Sequence, residues 1–331
     1  MSKSSKNYQY KFTWPQIGND NLLEFLDRSL VSGKLAQTYV FAGPEDLGKS
    51  TLALAFARNL IVSDVNEIRD FSSVNSDLHI LSRETGKKNI SIEAVRDFVK
   101  MLSLSSFLNS YKIGIIKEAE TLSVEAANAL LKTLEEPRDK VIIILLSSSV
   151  DLLLPTIVSR SQVLYFYPAS LETVYDYLVS DLQLKRGDAK DLASLAAGRP
   201  LLAAKFAQDE TLYQRYVETA KLFLTFLRMT IPDRLQALDS YLTGNPLTSD
   251  RALDILESWQ RVLRDLILNN LGNLDLIQHQ VLLKELDSFK TDNSDILPYY
   301  VNILELIETL RLYLKANVAP RSVLEQVIYN L

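Results

Sequence analysis

The chain has 331 residues, 47% apolar and 23% charged, the balance of an ordinary folded protein long enough for two or three domains. It contains no cysteine, which excludes disulfides, thiolate zinc sites, iron–sulfur clusters and cysteine nucleophiles together. Net charge is −5, with residues 1–168 neutral and the whole acidic excess in residues 169–331, so neither part has the strongly basic balance of an autonomous nucleic-acid binder.

The N-terminal stretch Met1–Lys11 is polar and reads as a free tail rather than a secretory signal. The longest apolar run, Val141–Leu146, is far short of the ~20 residues needed to span a bilayer, so a cytoplasmic location is expected. Thr38–Phe41 predicts a short strand, Gly43–Gly48 a glycine loop, and Ser50–Leu60, rich in Ala and Leu, a helix. Lys112–Ile116 and Val141–Leu146 are continuous β-branched runs of the kind that strands buried on both faces of a parallel sheet carry. Between them Val124, Ala127, Leu130, Leu131 and Leu134 fall at helical spacing, with Ser123 as N-cap and Pro137 as stop. Val163–Phe166 predicts a last strand. Strands alternating with helices imply an α/β domain with a parallel sheet and helices on both faces.

After Tyr167-Pro168 the strand signal ends. Leu171–Leu178, Asp188–Ala197 and Pro200–Gln208 predict three short helices, with Gly187 and Gly198 as breaks. From Leu212 the helices lengthen, as Leu253, Leu256, Leu263 and Leu266 illustrate. Gly244-Asn245-Pro246 reads as a loop, and Pro298 as the opening of a late helix. The expected division is therefore 1–168, 169–208 and 209–331. The two histidines, His79 and His279, are far apart and read as surface or boundary residues rather than metal ligands.

Gly43-Pro44-Glu45-Asp46-Leu47-Gly48-Lys49-Ser50 matches the phosphate-binding loop G-x-x-x-x-G-K-[ST], with a strand before it and a helix after. Such a loop turns backbone N–H groups around phosphate oxygens, and the following helix adds a favourable dipole. Lys49 would reach the outer phosphates and Ser50 would offer its hydroxyl to Mg²⁺, with Thr51 beside it. The bland alternative is a loop that keeps its shape and binds nothing. A nucleotidase carries an acid after the neighbouring strand, but here Lys112–Ile116 is followed by Lys117-Glu118-Ala119-Glu120. An ammonium cannot ligate a metal, so any binding of ATP or ADP is expected to be weak and little helped by Mg²⁺. Glu118 reads either as a weak catalytic group or as a helix-start carboxylate. Ser147, Ser148 and Ser149 either end a strand or contact a phosphate.

Ser123–Pro137 (SVEAANALLKTLEEP) and Leu154–Ser161 (LPTIVSRS) together resemble the AAA+ subunits of bacterial DNA polymerase clamp loaders. The resemblance extends to Trp14, Ile17 and Gly18 as an adenine-side box and to Gly33-Lys34-Leu35 leading into the loop. It takes in Asp77–Ile80 as a strand, Ile90–Val99 as a helix, Gly198-Arg199-Pro200 in a lid, Trp259 with Arg264-Asp265-Leu266, and Asn317–Leu331 as a last helix. It implies an AAA+ domain, a small three-helix lid and an all-helical collar that assembles with sister subunits. Within the family the chain is similar to the delta-prime type. Lys117 replaces the metal-holding acid, Leu201 stands where an ATPase subunit has its lid arginine, and Ile61–Asp77 lacks the usual four-cysteine zinc module. The resemblance makes Arg160 an arginine finger acting in trans on ATP held by a neighbour. A domain-boundary ion pair is the alternative for it.

The function implied is a stator that helps load a sliding clamp onto primed DNA. An ATP-hydrolysing gamma/tau-type motor subunit is the alternative. The implied partners are gamma/tau-type and delta-type sister subunits and, through them, the clamp and primer-template DNA. Tyr299, Tyr300, Tyr313 and Tyr329 read as core, with interface anchoring as the other possibility.

Overall fold

The computed structural model describes residues 9–15, 18–61, 77–84, 86–104, 111–136, 138–244, 246–291, 293, 295–316 and 318–331. The expectations placed on residues 1–8, Ile17, residues 62–76, Pro137, Asn245 and Asn317 lie outside the described residues. Two compact units form: Met1–Tyr177 with Gly198–Leu202, and Leu178–Ala197 with Ala203–Leu331.

The first unit is an α/β layer. Its strands are β1 (Thr38–Ala42), β2 (Leu78–Leu81), β3 (Lys112–Ile116), β4 (Val141–Ser147) and β5 (Gln162–Tyr165), all parallel, in the order β2-β3-β4-β1-β5. The order explains the sequence pattern. The three inner strands are buried at every position, whereas the edge strands β2 and β5 keep exposed positions such as Ile80, Gln162 and Tyr165. Side chains alternate between two cores. Tyr39, Phe41, Ile113, Ile115, Ile142 and Ile144 pack on one face with Leu26 of α1 (Asp20–Ser32) and Phe56 of α2 (Lys49–Ile61). Val40, Ala42, Ile143 and Leu145 pack on the other with Phe98 of α3 (Ile92–Leu102) and Leu130 of α4 (Val124–Glu135). Helices cover both faces, as the alternation of elements implied.

Local signals set the helix starts. Ser91 accepts from the Ala94 N–H (3.3 Å) and Ser123 from the Ala126 N–H (3.1 Å), so both are N-caps. The first of these moves the predicted Ile90 start to Ile92. Val124, read as part of the apolar stripe, is exposed because it opens the first turn. A short helix α5 (Pro155–Val158) precedes β5, and α6 (Leu171–Ser180) follows it.

Among its described residues the second unit holds helices only. They are α7 (Arg186–Ala196), α8 (Pro200–Gln208, from Ala203 onward), α9 (Glu210–Phe226), α10 (Ile231–Leu242), α11 (Ser249–Asn270), α12 (Leu283–Asp287), α13 (Ile296–Lys315) and α14 (Pro320–Asn330). Gly187 does not break a helix as expected; it lies in the first turn of α7, where its amide needs no intrahelical partner. The break falls at Ala197 and Gly198, both with positive φ. Trp259 centres the unit, fully buried between Phe223 (5.6 Å) and Phe226 (5.7 Å).

Two expectations fail here. His279 is buried, not at the surface, because the buried Asp265 carboxylate draws it in: Asp265 accepts from the His279 N–H (2.8 Å) and pairs with Nδ1 (2.7 Å), and it also accepts from the Gln278 N–H (3.1 Å). Tyr216 stacks on the ring at 5.8 Å. Of the four tyrosines only Tyr300 is core; Tyr299 is half-buried, and Tyr313 and Tyr329 are half-exposed, on the outer faces of α13 and α14.

Removing the carboxylate that holds residues 278–279 to α11 leaves three polar groups buried without a partner. Asp265→Ala is therefore expected to cost about 3–5 kcal/mol. Urea unfolding followed by Trp fluorescence checks it, and an unchanged midpoint would contradict it.

Candidate functional site

The site begins where β1 stops. Ala42 pairs with Ser147 across the sheet, and the Gly43 N–H donates to the Ser147 carbonyl (3.2 Å), so the loop leaves the carboxyl edge of the sheet beside the end of β4. Gly43 has φ 148°, and a Cβ there would stand 2.5 Å from the Phe166 carbonyl oxygen, so the chain admits only glycine at that point. Gly48 also has positive φ (92°) and opens α2. Leu47 between them is fully buried and anchors the loop to the core, while Pro44 and Glu45 face solvent. Ser50 and Thr51 are half-buried in the first turn of α2. The first amides of that helix have no intrahelical acceptor, which leaves N–H donors at the loop.

Lys49 folds back over this loop and donates to the Gly43 and Pro44 carbonyls, the latter at 2.6 Å. Burial pushes its ammonium below the usual lysine range. Glu120 opposes that shift most strongly among the carboxylates, followed by Glu45 and Asp46. Asp46, in the left-handed region (φ 59°), accepts at its carbonyl from the Leu201 N–H (3.2 Å). Leu201 packs its partly buried side chain against the core of the first unit.

The acidic residues after β3 part company. Glu118, in the left-handed region (φ 50°), turns outward to pair with Arg83 (2.7 Å). Glu120 turns inward: its Oε1 accepts from the Ser148 N–H (3.0 Å) and Ser148 Oγ (2.6 Å), and its Oε2 is buried with no protein partner. The Lys117 N–H is tied to the Leu81 carbonyl (2.8 Å). Ser147 Oγ donates to the Ser149 carbonyl (2.7 Å), and Ser149 Oγ accepts from the Asp151 N–H (3.3 Å), so the hydroxyls of both residues are engaged locally.

On the far side of α2, Trp14 stacks on Phe56 (6.4 Å) and donates Nε1–H to the fully buried Asp27 (2.9 Å). Asp27 also takes the Lys11 and Phe12 N–H groups. Sequence reasoning missed both Asp27 and Glu120. Asp27 carried no sequence signal, being an acid on the apolar stripe of α1. Glu120 carried a faint one in the Glu-Ala-Glu spacing.

Arg160 lies elsewhere. It follows α5 and precedes β5, and β5 runs parallel to β1 with Gln162 opposite Tyr39 and Tyr165 opposite Ala42. Arg160 is thus at the amino edge of the sheet, separated from the loop by three residue steps of strand, about 10 Å, plus two further residues. Its guanidinium is partly exposed (37%), pairs with Glu135 (2.8 Å) and donates to the Thr156 carbonyl (3.0 Å). Among the described residues no group of His, Asp and Glu is placed to hold a metal by itself, and no helix is long and apolar enough to cross a membrane.

The family model for the DNA polymerase III delta subunit matches residues 18–170. The delta-prime subunit of DNA polymerase III from Haemophilus influenzae is 37% identical over 148 residues, which cover 45% of this chain and 43% of that protein. The tau subunit from Bacillus subtilis is 27% identical over 194 residues, covering 55% of this chain and 34% of that one. The matched region thus spans less than half the length of either relative. A DNA polymerase III gamma subunit-related protein of Thermotoga maritima shares the fold over 95% of this chain and 98% of that one, with a TM-score of 0.52 at 19% identity.

Gly43→Ala places a methyl group against backbone at a strained φ. The first unit is expected to lose about 1–3 kcal/mol. Denaturation monitored by near-UV circular dichroism tests this, and wild-type stability in the variant would contradict it.

Proposed function

We propose, from the premise that residues 18–170 make this chain a delta-prime-like clamp-loader subunit, that it works as the stator of a clamp loader. In this reading the whole chain joins gamma/tau-type and delta-type subunits in the cytoplasm and helps load a sliding clamp onto primed DNA. Residues 1–168 form the nucleotide-binding-like part, 169–208 the lid and 209–331 the oligomerising collar.

The observation that carries the reading is the position of Arg160. Its own phosphate loop is at the opposite edge of the sheet, and its guanidinium is partly exposed, held by the partly exposed Glu135 carboxylate and the Thr156 carbonyl. A surface pair of this kind is worth about 0–1 kcal/mol, so exchanging Glu135 for a phosphate on a neighbouring subunit costs little. A planar, permanently charged guanidinium can bind two phosphate oxygens at once and stabilise charge that develops during phosphoryl transfer.

The chain's own loop, Gly43 to Thr51, keeps the donors that fit a polyphosphate: turned glycine backbone, an ammonium and the start of a helix. Binding of ATP or ADP there is weak in this reading, because Lys49 must give up its bonds to the Gly43 and Pro44 carbonyls. Turnover is lower still. Glu118, the acid best placed by sequence to activate water, is turned to Arg83.

Two measurements test the proposal. The pure chain is expected to hydrolyse ATP at under about a thousandth of the typical ~10 s⁻¹ turnover. Robust Mg²⁺-dependent hydrolysis, lost in Lys49→Ala, would favour the motor-subunit reading instead.

Arg160→Ala is expected to leave folding and assembly intact while lowering the DNA- and clamp-stimulated ATPase of the reconstituted complex. An arginine finger is worth about 10³–10⁵ in rate at the site it serves, diluted by the other sites of the complex. Arg160→Lys is expected to be nearly as damaging, because an ammonium cannot make the two-point contact. Unchanged turnover in a fully assembled Arg160→Ala complex would leave Arg160 a structural residue.

A further inference from the structure

The carboxylate of Glu120 is tied to the start of the phosphate loop by two short links. Ser147, at the end of β4, accepts the Gly43 N–H through its carbonyl, and the next residue, Ser148, gives both its N–H and its hydroxyl to Glu120 Oε1. One oxygen of the carboxylate is thereby fixed. The other, Oε2, is buried and meets no protein donor. A buried polar oxygen left unpaired costs about 1–3 kcal/mol, and more when charged. Nearby groups define what could satisfy it. Lys49 is drawn electrostatically to Glu120 but spends its hydrogen bonds on the Gly43 and Pro44 carbonyls.

A fixed anion beside a loop built for phosphate would repel the polyphosphate it is meant to receive. A divalent cation between the two reverses that sign. Magnesium suits such a place, since it keeps most of its waters and is commonly held by one or two carboxylates together with substrate phosphates.

We infer that Glu120 is the carboxylate through which this chain takes a divalent cation together with a nucleotide, in place of the acid that Lys117 replaces. Glu118, two residues earlier, points away and is neutralised by Arg83, so the acidic function has moved along the turn and not disappeared. The inference rests on the nucleotide-binding reading of the Gly43–Thr51 loop. It departs from the expectation, drawn from Lys117 alone, that Mg²⁺ adds little. It concerns binding; no group for activating water accompanies it.

The test is calorimetric titration of the full chain with ATP in excess magnesium chloride and again in EDTA. Wild type is expected to bind about ten- to a hundredfold tighter with magnesium, the range that an outer carboxylate of a metal site commands. Glu120→Gln keeps an oxygen for Ser148 but not the charge, and is expected to bind ATP equally in both buffers. A wild type without magnesium gain, or a Glu120→Gln protein that keeps the gain, overturns the inference while leaving nucleotide binding in place. No binding in either buffer removes the nucleotide reading and this inference with it. If melting shows that Glu120→Gln is unfolded, Glu120→Asp is read in the same way, with a reduced gain expected and an undiminished gain overturning the inference.

Discussion

The parallel register of β1 against β4 on one side and β5 on the other governs the functional half of this protein. With Ala42 opposite both Ser147 and Tyr165, the carboxyl edge of the sheet gathers the phosphate loop, the Ser147–Ser149 run and, through Ser148, Glu120. The same register sends Arg160 to the amino edge. One set of ladder hydrogen bonds therefore puts the phosphate loop and Arg160 at opposite edges of one sheet. The inner strands tolerate this because they are apolar on both faces and covered on both, which leaves slippage no polar alternative.

Charge at the loop is balanced locally. Lys49 is desolvated, held by two backbone carbonyls and offset by three carboxylates, of which Glu120 has the largest effect. Such an ammonium is already positioned but partly satisfied, so a phosphate must compete with the loop's own oxygens. Glu120 is anchored by a serine whose position follows from β4, and Glu118 is released to the surface by a single left-handed residue in the turn. Two carboxylates of one short segment thus acquire opposite surroundings from the turn's backbone and from the distant partners, Ser148 and Arg83, that each one meets.

The helical unit is organised by a buried acid. Asp265 sits in the C-terminal third of α11, about one and two-thirds turns after Trp259, and satisfies itself on residues 278 and 279. Burying a carboxylate is costly unless its acceptors are used, and here the return of the chain after α11 supplies the donors. Asp27 does the same in the α/β unit, where it binds the Lys11 and Phe12 amides and the Trp14 indole.

Much of this was legible in the linear chain. Continuous β-branched runs marked β3 and β4, the G-x-x-x-x-G-K-S spacing marked the loop, Ser123 marked a helix start, and the segments around Leu130 and Arg160 carried the resemblance to clamp-loader subunits, because each rests on short-range chemistry that neighbours in sequence carry by themselves. The fates of single polar residues were not legible. Nothing local distinguishes Glu118, paired at the surface with Arg83, from Glu120, buried against Ser148. Nor does anything local draw His279 beneath Tyr216, or place Tyr313 outside and Tyr300 inside on one helix. By itself the sequence determined the elements and the phosphate loop, since periodicity and backbone freedom are properties of adjacent residues. Only the tertiary structure decided which carboxylate is held against Ser148 beside the phosphate loop and which edge of the sheet carries Arg160, since burial and register depend on strands brought together from more than a hundred residues apart.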